Sequence, residues 1–382
     1  MSRSETPALF QAWAEPRSVV QFSPATWNAV LMAARGERIL ARLGYRIEDA
    51  GAFADCPEPV KDMLIGARLY PELLHTQALR ELRHLRLALE PLGTDLILLK
   101  GGAYLAAGLP LARGRPLRDL DVLVRRGQIG TVESRLVTCG WESQVENDYD
   151  QRYYREWMHE IPPLRHPERG LEVDVHHTIL PLTSRLHPDP ALFWESSVPV
   201  EGMPGVRVLG PTDMVLHTAT HLFYDGEIRG GLGDLLDIDS LLRHFSSGAD
   251  FWRDLLTRAA QLQLGRPLYY ALAFSHRLLS TPIPDAVLDE ARARFGPNGL
   301  VDRLMERLVT RVLRPGSAGR TPVSDWLLYV RSHWLRMPPH LLFPHLARKG
   351  LRRLLGSKDA GQTDGAEIPP RDPQALDPDN RP

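Results

Sequence analysis

The sequence predicts an α+β protein, with a mixed sheet in the stretch 93–210, helices flanking it, and an all-helical region from 211 to 355. Three observations carry this. Short apolar runs at Leu96–Leu99 and Leu120–Val124 are too brief for helices and read as buried strands. The stretch Leu171-Glu172-Val173-Asp174-Val175-His176-His177 alternates strictly, the period of a strand with two unlike faces. Beyond Pro211, apolar residues recur at helical spacing between Gly and Pro breakers.

The elements follow in order. Residues 1–22 are expected as a flexible arm. Ser23-Pro24 opens a helix, with Ser as cap and Pro at the first helical position. A long helix is predicted from about Pro71 to Leu92, with Leu74, Leu79, Leu82, Leu85 and Leu89 at helical spacing and Arg80, Arg83 and Arg86 on the other face. Residues 23–92 thus form an N-terminal helical segment. The strand 96–99 leads into Gly101-Gly102 and a short helix. A loop rich in Gly, Pro and Arg spans 109–116, before the strand 120–124. A helix over 127–139, closed by Gly140, a strand over 141–145 and the strand 171–177 complete the core. Helices are then expected at 212–224, 232–245, 250–262, 267–279, 285–295, 299–313, 322–335 and 340–354. The tail, 356–382, is polar and Pro-rich; it lacks the apolar residues that offset ordering entropy and is expected to be disordered.

Composition narrows the function. The 382 residues carry 46 Lys+Arg against 47 Asp+Glu, a net charge of -1, which argues against a dedicated polyanion coat. Two cysteines, Cys56 and Cys139, build neither a disulfide framework nor a Cys-rich zinc site. No apolar run reaches the ~18–20 residues of a membrane span, and Met1–Glu15 does not read as a secretory signal. A cytoplasmic location is the expectation. Only four of the 46 basic residues are lysines, Lys100 among them.

The chemistry concentrates between Lys100 and Asp121. A buried strand ends at Lys100, and Gly101-Gly102 lets the backbone turn and approach a ligand at a helix start, a geometry suited to phosphate. Asp119 and Asp121 stand two apart at the head of a strand, so they share a face roughly 6–7 Å apart. Two like charges so placed are costly without a cation between them. Oxygen-only ligands beside a phosphate cradle favour Mg²⁺. In 171–177, Glu172, Asp174 and His176 share one face. Asp174 is taken as the third acid, either as a ligand to a second metal or as general base on an acceptor hydroxyl. Arg113, Arg115 and Arg118 lie in the connecting loop, where they can neutralise phosphate charge.

These residues carry a resemblance. Leu99-Lys100-Gly101-Gly102, Arg115-Pro116-Leu117-Arg118-Asp119-Leu120-Asp121-Val122-Leu123-Val124 and Val173-Asp174-Val175-His176 resemble the nucleotidyltransferase fold of the DNA polymerase beta superfamily. Within it, the chain is similar to a bacterial family of nucleotidyltransferases without an assigned substrate. The likeness extends to Leu216-His217, His221 and Asp234-Leu235-Leu236-Asp237. It implies that Gly101 and Gly102 hold the nucleotide phosphates, that Asp119 and Asp121 bind Mg²⁺, and that Asp174 is the third acid. The implied reaction moves a nucleoside monophosphate from an NTP to an acceptor hydroxyl, the acceptor being a small molecule, RNA or protein.

Other features have plainer readings. Lys100 either touches a phosphate or ends its strand in solvent. His217 and His221 stand four apart, a zinc-compatible spacing, but without the following Glu of a metalloprotease; packing between helices is preferred. His159, Glu160 and His166 flank a Pro-rich turn, and a zinc site there is disfavoured. His176 is read as a partner of the acids, with His177 pointing away. Asp213 is expected to cap its helix, and Asp237 either caps or faces the cleft. The basic segment 348–355 suits an anionic membrane or RNA, against a terminal helix with a solvated face. Two rivals remain beside the transferase: a non-catalytic nucleotide-binding protein on the same fold, and a metal hydrolase using the histidines. A toxin-like enzyme modifying tRNA or protein is a variant of the first reading.

Overall fold

The computed structural model describes residues 7–145, 147–226, 228–316 and 321–338. Residues up to 336 form one compact unit, so the expected boundaries near residues 92 and 210 fall inside it. The expected helix 340–354, the basic segment 348–355 and the tail 356–382 lie outside the described residues.

The chain opens with helices α1 (Ala8–Ala14), α2 (Pro24–Gly36), α3 (Leu40–Asp49) and α4 (Glu58–Leu89). Strand β1 (Leu96–Leu98), helix α5 (Lys100–Ala106) and strand β2 (Asp119–Leu123) follow. Then come α6 (Ile129–Thr138), β3 (Glu142–Ser143), α7 (Asp148–Trp157), β4 (Leu164–Arg165), β5 (Glu172–His176), α8 (Pro190–Ser196), β6 (Val198–Pro199) and β7 (Val206–Val208). The remaining elements are helical: α9 (Pro211–Thr220), α10 (Leu232–Phe245), α11 (Phe251–Gln261), α12 (Gly265–Leu279), α13 (Asp285–Phe295), α14 (Gly299–Val312) and α15 (Pro322–Arg336).

The seven strands make one mixed sheet in the order β3-β4-β5-β2-β1-β7-β6. β2 is central; it pairs antiparallel with β1 and parallel with β5. One face of this pair is apolar: Leu120, Val122, Val173 and Val175 are at most 2% exposed. That burial fixes the register, because a one-residue slip would turn the acids into the core.

Two expectations are corrected. Residues 7–22 are not a loose arm: α1 and a 3₁₀ turn at Pro16–Gln21 bury Leu9, Phe10, Trp13 and Val19. The Trp13 indole donates to Asp239 at 2.8 Å, tying this start to α10. The apolar residues there are too few and too close to show a helical period, which is why the sequence reads as a loop. The second long helix also begins earlier, at Glu58 after Pro57, and runs through Pro71. Pro71 stands inside the helix rather than at its start; packing of α4 against α3, α5, α6 and β2 offsets the lost backbone bond. The Ser23 cap is as read: its hydroxyl accepts from the Thr26 amide at 3.1 Å.

Candidate active site

β2 and β5 bring the three sequence-predicted acids together. In their register Asp119 stands opposite Glu172, Asp121 opposite Asp174, and Leu123 opposite His176. Adjacent strands lie about 4.8 Å apart, so one sheet face carries four carboxylates and an imidazole.

Asp121 is the organised member. Its Oδ1 accepts from Lys100 Nζ at 3.1 Å and stands 3.1 Å from His176 Nε2. Burial opposes its charge, but Lys100 and His176 outweigh that and hold its pKa well below the usual carboxylate range. Lys100 reaches it through an unusual backbone. Its φ of +42° lies in the left-handed region that residues with a Cβ rarely adopt. Burial would lower the Lys100 pKa; Asp121 and Asp119 more than reverse it, and the net shift is upward. Lys100 is therefore neither solvated nor idle.

Asp174 is the unsatisfied member. Its Oδ1 is buried and has no hydrogen-bond partner among the described residues. Burial first, then Glu160, Asp121, Asp119 and Glu172, push its pKa well above the usual value. Asp119, at the solvent-open mouth but crowded by protein, is shifted upward by lost hydration and by Asp121.

A segment read from the sequence only as a disfavoured zinc site completes the face, with His176 in place of His166. Glu160 pairs with His176 across an isolated bridge, placing Glu160 Oε2 at 3.4 Å from His176 Nδ1. His159 stacks on His176 with ring centroids 5.1 Å apart. Burial lowers the His159 pKa to about 3, so its imidazole is neutral. Ligand atoms of His159, Glu160 and His176 all lie within 4.8 Å of one another, a geometry that could hold a metal. The extended run is too short to show a strand period, and only the His-Glu pair beside a Pro-rich turn hinted at it. His166 goes elsewhere, edge-on to Trp141. Tyr154, on the unpredicted α7, is close enough to Glu160 and Asp174 that burial and those charges raise its pKa.

The glycines serve close packing. A Cβ on Gly101 would fall onto the Arg115 guanidinium, and one on Gly102 would sit 2.8 Å from Leu120 Cδ1. Arg115 forms an ion pair with Asp237 at 2.9 Å, and Arg42 meets the same carboxylate at 2.7 Å. Arg113 pairs with Asp49 on the surface. Arg118 lines a cavity with Arg35, Arg38 and Tyr70 that none of the acids lines.

The helical wall comes from α9, the π turn at His221–Asp225 and α10. Burial, then Lys100 and His221, hold the His217 pKa well below its usual value. His221 Nδ1 pairs with Asp234 at 3.3 Å, so the two histidines do not share a ligand. Burial opposes the Asp234 charge, but His221 leads the groups that lower its pKa to about 2. Asp213 does not cap α9; it is buried and pairs with Arg258 at 2.7 Å. Among the described residues, no helix is long and apolar enough to cross a membrane.

No curated protein matches the chain. No solved structure matches it. The model of a family described as "uncharacterised nucleotidyltransferase" matches residues 23–280, which span the sheet, the acids and the helical wall, and the chain belongs to that family.

Proposed function

We propose that the acidic face is a metal-dependent nucleotidyltransfer site that moves a nucleoside monophosphate from an NTP to an acceptor hydroxyl. The observation that carries this is the buried, unpartnered Asp174 Oδ1 beside Asp121. An orphan carboxylate oxygen among like charges is costly, and a divalent cation is the group that satisfies it. Asp119, Asp121 and Asp174 offer the oxygen ligands that suit Mg²⁺. When bound there, Mg²⁺ would supply positive charge to the phosphate oxygens and acidify the acceptor hydroxyl.

The chain's own residues supply the rest. Lys100, held at the acids by Asp121, is placed to meet a phosphate oxygen. The amides of Gly101 and Gly102 stand at the start of α5, where no preceding turn accepts their hydrogen bonds. Arg115 adds charge from the side, and Arg118 from the adjoining cavity. The acceptor oxygen bonds to the α-phosphorus as the bond between that phosphorus and the α–β bridging oxygen breaks. Pyrophosphate leaves with the electron pair, and Asp174 takes the hydroxyl proton. Such a reaction belongs in the cytoplasm, where NTPs and Mg²⁺ are plentiful.

One observation favours a second metal chemistry. The mixed nitrogen and oxygen set of His159, Glu160 and His176 suits Mn²⁺ or Zn²⁺ better than Mg²⁺. Metal analysis of the purified protein separates these: stoichiometric zinc lost on His159→Ala supports the histidine set.

The direct test incubates the protein with each α-labelled NTP and Mg²⁺ in cell extract. Transfer of label to one acceptor, with pyrophosphate released and both lost in Asp121→Asn, is the expected result. The labelled molecule then tells a small metabolite from tRNA or protein. Mg²⁺-dependent NTP binding with neither label transfer nor pyrophosphate release would favour the non-catalytic reading.

A further inference from the structure

Between the turn joining α2 to α3, the first half of α4 and the lead-in to β2 lies a cavity of about 480 Å³. Its charge is one-sided: Arg35, Arg38 and Arg118 line it, and no Asp or Glu does. Five partly buried arginines elsewhere, Arg42, Arg68, Arg115, Arg169 and Arg258, hold carboxylates. Arg118 is partly buried and Arg35 and Arg38 are exposed at the rim; among the described residues none of the three guanidinium groups holds a carboxylate. Three unpaired cations around one space repel one another, and an anion among them relieves that cost.

The backbone shapes the space. Arg38 has a φ of +60°, a left-handed conformation that residues other than glycine rarely take. On α4, Gly66 keeps the floor open; a Cβ there would meet nothing within 4 Å. Tyr70, about half exposed, adds an aromatic edge. Arg118 directly precedes Asp119, so the cavity opens one residue from the acids, with Cα atoms about 3.8 Å apart.

We propose that this cavity is a phosphate subsite, in which Arg35, Arg38 and Arg118 hold a phosphate group carried by a substrate. The guanidinium fork matches two phosphate oxygens at once, which an ammonium does not. The proposal rests on the nucleotidyltransfer reading only for which substrate brings the phosphate, the acceptor or the NTP.

The test titrates the full chain with inorganic phosphate by calorimetry, without metal or nucleotide. Wild type is expected to bind. Arg38→Ala with Arg118→Ala should weaken binding at least tenfold, at an unchanged melting temperature, since these side chains reach solvent and hold no partner. Arg80→Ala, on the solvent-facing side of α4 and outside the cavity, should leave phosphate affinity within twofold. Repeating the titration with a saturating non-hydrolysable NTP and Mg²⁺ separates the sources. Phosphate that still binds marks an acceptor subsite; phosphate displaced by the NTP marks a subsite for its own tail. Wild type that ignores phosphate, a double variant that binds it unchanged, or an equal loss in Arg80→Ala overturns the proposal. Because no turnover is read, a failure here leaves the transferase reading standing, and an inactive enzyme leaves this result standing.

Discussion

Two buried charged regions lie side by side and are built on opposite principles. On the helical wall, Asp237 is enclosed by Arg42 and Arg115, and Arg42 also donates to the Gly233 carbonyl at 3.0 Å. The positive and negative groups there satisfy one another. On the β2–β5 face, Lys100 and His176 both lean on Asp121, leaving Asp174, Asp119, Glu160 and Glu172 with raised pKa values. The first region holds the N-terminal helices, the loop before β2 and α10 together. The second is short of positive charge, and that imbalance is what a bound cation would correct.

The comparison can be broken from either side. The largest effect is expected on turnover. Asp119→Asn should lower pyrophosphate release by about 10³-fold or more, on the scale of losing a central electrostatic contact. Its unfolding free energy should hold or rise, because one like charge is gone. Full activity in this variant would remove Asp119 from the site. On the balanced side the sign reverses. Asp237→Ala leaves Arg42 and Arg115 facing each other without an anion and should cost about 3–5 kcal/mol in urea unfolding. An unchanged midpoint would show that the pair is not structural.

A pH effect sharpens the contrast. Without metal, Asp174 binds its proton more tightly folded than unfolded. Its contribution to stability is therefore full below the ordinary carboxylate pKa of about 3.9 and is lost as pH rises through the raised folded value. Mg²⁺ competes with that proton, so its stabilising effect in thermal melts should grow as pH rises across the same window. Asp174→Asn should flatten this dependence; a profile identical to wild type would count against it. The smallest effect is expected at Gly102→Ala, whose Cβ meets Leu120 Cδ1 at 2.8 Å. About 1–3 kcal/mol of overpacking is expected, measured by denaturant titration.

The acids were legible in the sequence because a strand's period of two places side chains without any tertiary knowledge. Asp119 and Asp121 had to share a face, and so did Asp174 and His176; only the pairing of β2 with β5 had to be supplied by the fold. The C-terminal helices from α10 to α15 were legible from their breakers, most within one or two residues. Arg115 was not. In the sequence it is one of several loop arginines, and its partner Asp237 lies 122 residues away. His159 and Glu160 were read only as a disfavoured zinc site, because so short an extended run has no period to show that it joins the acidic face. Residues 7–22 were missed because Trp13 gains its meaning from Asp239, far along the chain.

The central claim is that Asp119, Asp121 and Asp174 share a divalent cation. It is tested most directly by titrating the purified protein with Mn²⁺ and following free Mn²⁺ by electron paramagnetic resonance. The account predicts saturable binding to wild type, weakened at least tenfold in Asp174→Asn. Equal affinity in the two proteins would contradict it.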